Sequence, residues 1–561
     1  YSFSQIRRAY IEFEASSKHK NLLYNSVERI VRWSVMLQRI DINNGNSKIL
    51  IAYYSPTTSI ESLEAQVGNE VTITVFYYAN HPSNGVMVGY DNIYAESVLD
   101  CDVSPSHPDC LTSEYINIFY LNDLHGAILP DGNTIGLSYI ANLITTTKNL
   151  HPNNTLILAG GDMLQGSALS NYYNGLSTIN IMNEMKFDAF TIGNHEFDWG
   201  IDTITDYSDG DLTNGEADFP FLGANIIETA TGLLPDGILP YTIIDKGNIR
   251  IGIIGTIGYG LESSIATSKT EGLEFLDPIP IIKEYTHHLR TSEGCDIILV
   301  VSHDSGNIND ALDDLNGDYK VDAIFNAHSH RNYYKVVSNT AIIQSQAKGT
   351  VIGKVTIEMN NDSFLSVSAT NLSFDSDVLL QTTYTPVETL IQGYLLETAS
   401  IFYERIFTSE DYISSNELTV WISKLITIAS GSDITFHNYG GTRTSIAAND
   451  DINVALLYEL WPFDNIIKSV ELTGLEIKSI LSSSSGSLGH YTELSYFEDD
   501  VYYTVATNDY VFDKPENPYI YGLNPTNTGI VLRDLALNEM ELQALIYTTF
   551  RLDNQIQTTN E

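Results

Sequence analysis

The sequence predicts a layered α/β protein preceded by a mainly β module. Three observations carry that reading. Between Glu114 and about Ser373, short apolar runs alternate with helical stretches. Five of those runs end at once on an Asp, Asn or His. The first 112 residues instead pass from a helical pattern around Ile6 to Leu37 into alternating strands such as Val71-Thr-Ile-Thr-Val-Phe-Tyr-Tyr.

In chain order, residues 1–112 form an expected accessory domain, whose phrase Gln66-Val-Gly-Asn-Glu-Val-Thr-Ile-Thr-Val resembles a strand pair of an immunoglobulin-like sandwich. Residues 113–375 form the α/β domain. Its five runs are Ile116-Asn-Ile-Phe-Tyr-Leu, Thr155-Leu-Ile-Leu-Ala, Ala189-Phe-Thr-Ile, Asp296-Ile-Ile-Leu-Val-Val and Ala323-Ile-Phe-Asn. A helical connector is expected over residues 376–405, and a second α/β domain over residues 406–561.

Composition narrows the function. A chain of 561 residues is too long for one hydrophobic core. No run approaches the ~18 apolar residues of a membrane span. With 71 acidic against 28 basic residues, the formal net charge of -43 disfavours binding to nucleic-acid phosphates or anionic lipid. Of three cysteines, Cys101 and Cys110 bracket a short loop that suits one local disulfide, and Cys295 precedes an apolar run as a buried thiol. The chain opens on Tyr1 rather than Met, which suggests a removed leader and a place outside the cytoplasm, in the periplasm or on the cell surface.

Ligand sites in open α/β sheets gather beyond the carboxyl ends of strands, so the five polar tips are expected to converge. They read Asn122-Asp123-Leu-His125-Gly126, Gly160-Gly161-Asp162-Met-Leu-Gln-Gly166-Ser167, Gly193-Asn194-His195-Glu196-Phe-Asp198, Ser302-His303-Asp-Ser-Gly306 and Asn326-Ala-His328-Ser-His330. Together they offer carboxylates, an amide and several imidazoles, enough for two adjoining divalent cations. Asp162 is the natural bridge because a carboxylate has two oxygens. Mixed imidazole, carboxylate and amide donors suit zinc, manganese, iron or cobalt better than calcium, and zinc or manganese is expected. His287 and His288, in a helical stretch without such a block, are expected at the surface.

In order and spacing these blocks resemble those of the calcineurin-like metallophosphoesterases, and specifically the 5′-nucleotidase branch that adds a C-terminal nucleotide-binding domain. The one change is Ala327 where the last block has a Gly. The resemblance implies a four-layer metallophosphoesterase sandwich followed by an α/β nucleotide-binding domain. It implies that Asp123, His125 and His330 hold one metal, that Asn194, His303 and His328 hold the other, and that both share Asp162. It further implies that His195 faces the substrate, with Asp198 fixing its tautomer.

Farther on, Asn438-Tyr-Gly440-Gly441-Thr-Arg443 resembles the family's Gly-rich nucleotide loop, in which Arg443 suits phosphate recognition. Trp461-Pro462-Phe463-Asp464-Asn465 and Ala506-Thr-Asn-Asp-Tyr510 resemble the blocks that supply two aromatic faces, Phe463 and Tyr510, to the base. Departures occur here too. Lys514-Pro515-Glu516-Asn517 replaces Gly-Gly-Asp-Gly, Ser414-Ser415-Asn416-Glu417 lacks the usual Arg, and Trp421 stands where a Gly is expected.

The leading expectation is hydrolysis of nucleoside phosphates by a water that two metals activate, with a small phosphate ester as partner. One alternative is a phosphoesterase for a non-nucleotide ester or a diester. Another is a surface or filament protein that keeps the fold and forms homo-oligomers, suggested by residues 1–112 and 35 tyrosines.

Overall fold

The structure, a computed structural model, divides into two compact units, Tyr1–Glu114 and Tyr115–Glu561. It describes residues 115–559 apart from 212, 214, 361, 362, 484, 485, 515 and 516; ahead of these it describes only the backbone of Glu114 and of five strands. Those five strands form an antiparallel sheet in the order Glu12–Phe13, Val86–Glu96, Glu70–Ala79, Arg39–Asn44, Ile49–Ala52. Glu12 and Phe13 lie within the stretch expected to be helical. They are instead paired with Tyr94 and Ile93, a case of strand pairing overriding a local helical period. The rest of that stretch, together with Cys101 and Cys110, lies outside the described residues.

In the second unit all five apolar runs are strands, and they divide between two sheets. Glu114–Leu121, Thr155–Ala159 and Ala189–Thr191 are neighbours in a seven-stranded sheet, where they run parallel. Ile297–His303 and Ala323–Asn326 are neighbours in a six-stranded sheet, whose four central strands are also parallel. Near-continuous Ile, Leu and Val in these strands is what a sheet covered on both faces requires.

The sheets pack face to face. Ile116, Ile118, Leu156 and Leu158 of one meet Ile251, Leu299, Val301 and Phe325 of the other in a core sealed from water. Each such side chain is worth roughly 1.5 to 3 kcal/mol of apolar burial. Helices Leu137–Leu150, Leu176–Met185 and Thr385–Phe402 cover the outer face of the larger sheet, and Pro278–Thr291 covers that of the smaller. The result is the expected four-layer sandwich. Cys295 is buried in the layer under Pro278–Thr291.

The connector is the helix Thr385–Phe402, and it lies against the larger sheet's helical layer: Tyr394 meets Tyr173, and Phe402 meets Tyr172. Beyond it, a five-stranded sheet and a three-stranded sheet carry helices Ser415–Ser430 and Leu532–Ala544 around a separate apolar core. The Ser414–Glu417 run has a local role. The two side chains form a reciprocal cap on the first turn of Ser415–Ser430, so Glu417 serves the helix. Trp421 on the same helix is buried, stacked on Trp461 at 6.1 Å and edge-on to Phe550 at 5.4 Å. It fills the core behind the Gly-rich loop. Among the described residues no helix is long and apolar enough to cross a membrane.

Candidate active site

The five strand tips meet at one end of the sandwich. Asp123, His125 and His330 offer donor atoms within 4.8 Å of one another, and so do Asp162, His303 and His328. A third set, His125, Asp162 and His195, links the two. Asn194 joins the second set, since its Oδ1 lies 3.1 Å from His303 Nε2 and 2.9 Å from His328 Nδ1.

The local backbone is unusual where the side chains are chemical. Asp123, His125, Asp162, His328 and His330 all have φ between 49° and 66°, a left-handed conformation that few non-glycine residues adopt. The strand tips turn sharply at these positions, and dense packing holds the turns. A Cβ on Gly193 would lie 2.4 Å from Asp162 Oδ1, so only glycine lets the third tip approach the second this closely.

Further bonds orient the ligands. His125 Nδ1 donates to the Gln165 carbonyl at 3.1 Å and His303 Nδ1 to the Gly160 carbonyl at 2.8 Å, which turns each Nε2 lone pair toward the cluster. Asn122 Nδ2 donates to Asp123 Oδ2 at 2.5 Å and to the Gln346 carbonyl at 2.7 Å. Glu196 is a residue whose role the sequence did not reveal. Its buried carboxylate accepts four backbone N–H groups, from Asp162, Met163, Leu164 and Gly193, and so ties the second tip to the third. Its place inside the Gly-Asn-His-Glu block, next to a candidate ligand, was the available signal.

The electrostatics fit cations. Asp123 and Asp162 are buried carboxylates that face His330 Nε2 at 3.4 Å and His303 Nε2 at 3.1 Å, an arrangement that calls for positive charge between the side chains. Burial opposes ionisation of Asp162, yet His303 and His195 outweigh it and hold its pKa well below the usual carboxylate range. Burial drives His125 down to about 3 and also lowers His328, which favours the neutral imidazoles that ligation requires; burial opposes charge on His303 too, but Asp162 prevails and raises it to about 10. Burial disfavours charge on His195 as well, but Asp198 and Asp162 prevail and raise it to about 9. His195 Nδ1 donates to Asp198 Oδ2 at 2.7 Å, which leaves Nε2 free of that bond.

A cavity of about 310 Å³ opens on this cluster and is shared with the C-terminal region. Asp162, Asn194, His195, Asp198, His328 and His330 line it from one side; Asn438, Gly440, Arg443, Phe463 and Tyr510 line it from the other. Phe463 stacks on the His195 ring at 5.7 Å, and the Arg443 guanidinium lies 5.8 Å from the centre of the Phe463 ring. Gly441 is the exception. It is buried, and a Cβ there would sit 2.8 Å from the His437 ring, so packing accounts for that glycine. Lys269 also lines the cavity, a lone lysine in a Ser- and Thr-rich loop with no motif around it to mark it. Pro515 and Glu516, in the stretch that replaces Gly-Gly-Asp-Gly, lie outside the described residues.

Residues 116–332 match the family described as calcineurin-like phosphoesterase, and residues 398–497 match the 5′-nucleotidase C-terminal domain. The chain has the paired domains of the 5′-nucleotidase family. The phosphoesterase domain holds every candidate cation donor, and the nucleotidase C-terminal domain holds the Gly-rich loop and Phe463. A cell wall protein of Listeria monocytogenes is 24% identical over 65% of this chain, which spans 56% of that protein, little more than half of it. A 5′-nucleotidase of Vibrio cholerae is 24% identical over 69% of this chain and 78% of its own length. A 5′-nucleotidase precursor from Thermus thermophilus shares the fold, with a TM-score of 0.63 at 19% identity over 77% of this chain and 97% of its own.

Proposed function

We propose that this 5′-nucleotidase-family chain hydrolyses nucleoside phosphates outside the cytoplasm, with the tips of the phosphoesterase domain holding two divalent cations. The observation that carries the proposal is the shared cavity, whose walls combine the candidate cation donors with Arg443, Phe463 and Tyr510. Cations bound there would supply Lewis acidity and lower the pKa of a bound water. Asp123, His125 and His330 would hold one and Asn194, His303 and His328 the other, with Asp162 common to both.

The remaining groups perform ordinary polar work. Arg443 presents a planar fork for phosphate oxygens. His195, aligned by Asp198, can donate a proton from Nε2 to the leaving oxygen. Phe463, already against His195, offers an aromatic face to a base, worth about 1 to 3 kcal/mol. The name of the Listeria relative, a cell wall protein, supports a surface or extracellular location.

The experiment is phosphate release from AMP, ADP and ATP by manganese- or zinc-loaded protein. Activity that disappears with chelator, together with a roughly tenfold or greater rise in KM for Phe463→Ala, is the expected result. Turnover of simple phosphate esters without any nucleotide turnover would overturn the assignment.

One observation favours a second reading, a non-nucleotide ester or a diester. Lys514 Nζ lies 4.1 Å from the centre of the Tyr510 ring and 2.8 Å from its hydroxyl, so a cation covers one face of the ring meant for the base. A substrate panel of mono- and diesters separates the two readings.

A further inference from the structure

Lys269 has no part in the chemistry above. It closes the short turn Thr267–Lys269, which follows strand Ile249–Ile257, and it reaches the shared cavity from the phosphoesterase side beside Ser264 and Ala266. It is half-buried, and it makes no ion pair and no side-chain hydrogen bond among the described residues.

That isolation stands out in a chain with 71 acidic and 28 basic residues. Lys148, Lys246, Lys320 and Lys468 each find a carboxylate within 3.6 Å. The carboxylates on the cavity wall are all engaged elsewhere: Asp162 by His303, Asp198 by His195, Asp464 by Arg533, and Asp509 by Asn465. Lys269 therefore brings to the cavity a positive charge that no carboxylate pairs with among the described residues. A strongly hydrated ammonium held part-way out of water without a partner is stabilised by an anion that enters from solution.

A single phosphoryl group does not account for it. The candidate cations and Arg443 already supply charge for one, and Arg443 stands near enough to His195 and Asp198 for its charge to act on both. Lys269 comes from the other domain and faces whatever else the ligand carries.

We propose that Lys269 binds a second, non-scissile phosphate of the substrate, so that the site favours nucleoside di- and triphosphates over monophosphates. This rests on the nucleotide reading of the same cavity. Lys269 is a specificity-determining contact; the bond that breaks, and the groups around it, are those already described.

The test compares the full chain with Lys269→Ala and Lys269→Arg. Metal-loaded protein is assayed with AMP and ADP, and equilibrium binding of α,β-methylene ADP and of AMP is measured by calorimetry. The expected result for Lys269→Ala is a rise of about tenfold in the ratio of KM for ADP to KM for AMP, carried by KM more than by kcat, with the same shift in the ratio of dissociation constants. Lys269→Arg restores most of it. Wild-type turnover of both nucleotides with ratios that Lys269→Ala leaves within twofold overturns the contact alone. A wild-type chain that neither binds nor hydrolyses either nucleotide overturns the nucleotide reading, and this contact falls with it.

Discussion

The two walls of the cavity differ in how they are built. On the phosphoesterase side the candidate ligands sit on strand tips, and five of them hold left-handed backbone turns beneath bonds from Asn122, Glu196, Gly160 and Gln165. On the C-terminal side the corresponding groups sit in loops, and three residues in or beside the departures from the family pattern serve packing or local order. Glu417 caps a helix, Trp421 fills a core, and Lys514 covers Tyr510. A cation pair tolerates little displacement of its donors, whereas a substrate loop can be rebuilt for another ligand. The wall with the stricter geometry is the one that kept its blocks, with Ala327 the one change among them.

Substitutions can break this contrast or sharpen it. The largest effect is expected from Asp162→Ala, which removes the donor common to both clusters; phosphate release should fall by on the order of 10⁴-fold or more, with unchanged secondary structure by circular dichroism. Trp421→Gly restores the residue the family would have there. Because the indole is core, the expected outcome is a loss of about 3 to 5 kcal/mol in denaturant unfolding and no gain in nucleotide affinity. A tighter nucleotide Kd in that variant would show that Trp421 belongs to the substrate wall after all.

Glu196→Gln should act on the stricter wall through backbone groups, without touching a ligand side chain. An amide cannot accept four N–H groups as a carboxylate does, so metal affinity is expected to drop about 10- to 100-fold, read by competition with a fluorescent chelator. The smallest effect belongs to Glu417→Ala, about 0.5 to 1 kcal/mol of stability from the lost cap, with KM for nucleotide unmoved. A large KM change there would give Glu417 a part in the substrate site.

Much of this was legible in the sequence. All five apolar runs are strands, and their polar tips do converge, because a strand buried on both faces leaves the chain's polar residues at its ends. What the runs could not show is that they belong to two sheets, since register and sheet membership depend on distant partners. The roles of Glu196 and Lys269 were hidden for a similar reason. One acts through backbone groups of another tip, and the other is defined by the partners it lacks. The motif marks Gly441 as part of the nucleotide loop, and it does not show that a Cβ there would meet the His437 ring and Asn438 Oδ1. At Glu12 and Phe13 a local helical pattern gave way to pairing with a strand some eighty residues away.

The central claim is that Asp162 joins two cation sites, and metal stoichiometry tests it most directly. Calorimetric titration of chelator-treated protein with manganese or zinc, checked by elemental analysis after dialysis, should give two tightly bound ions per chain and lose both steps of tight binding in Asp162→Ala. One ion or none in the wild-type protein, or two that persist in Asp162→Ala, would contradict it.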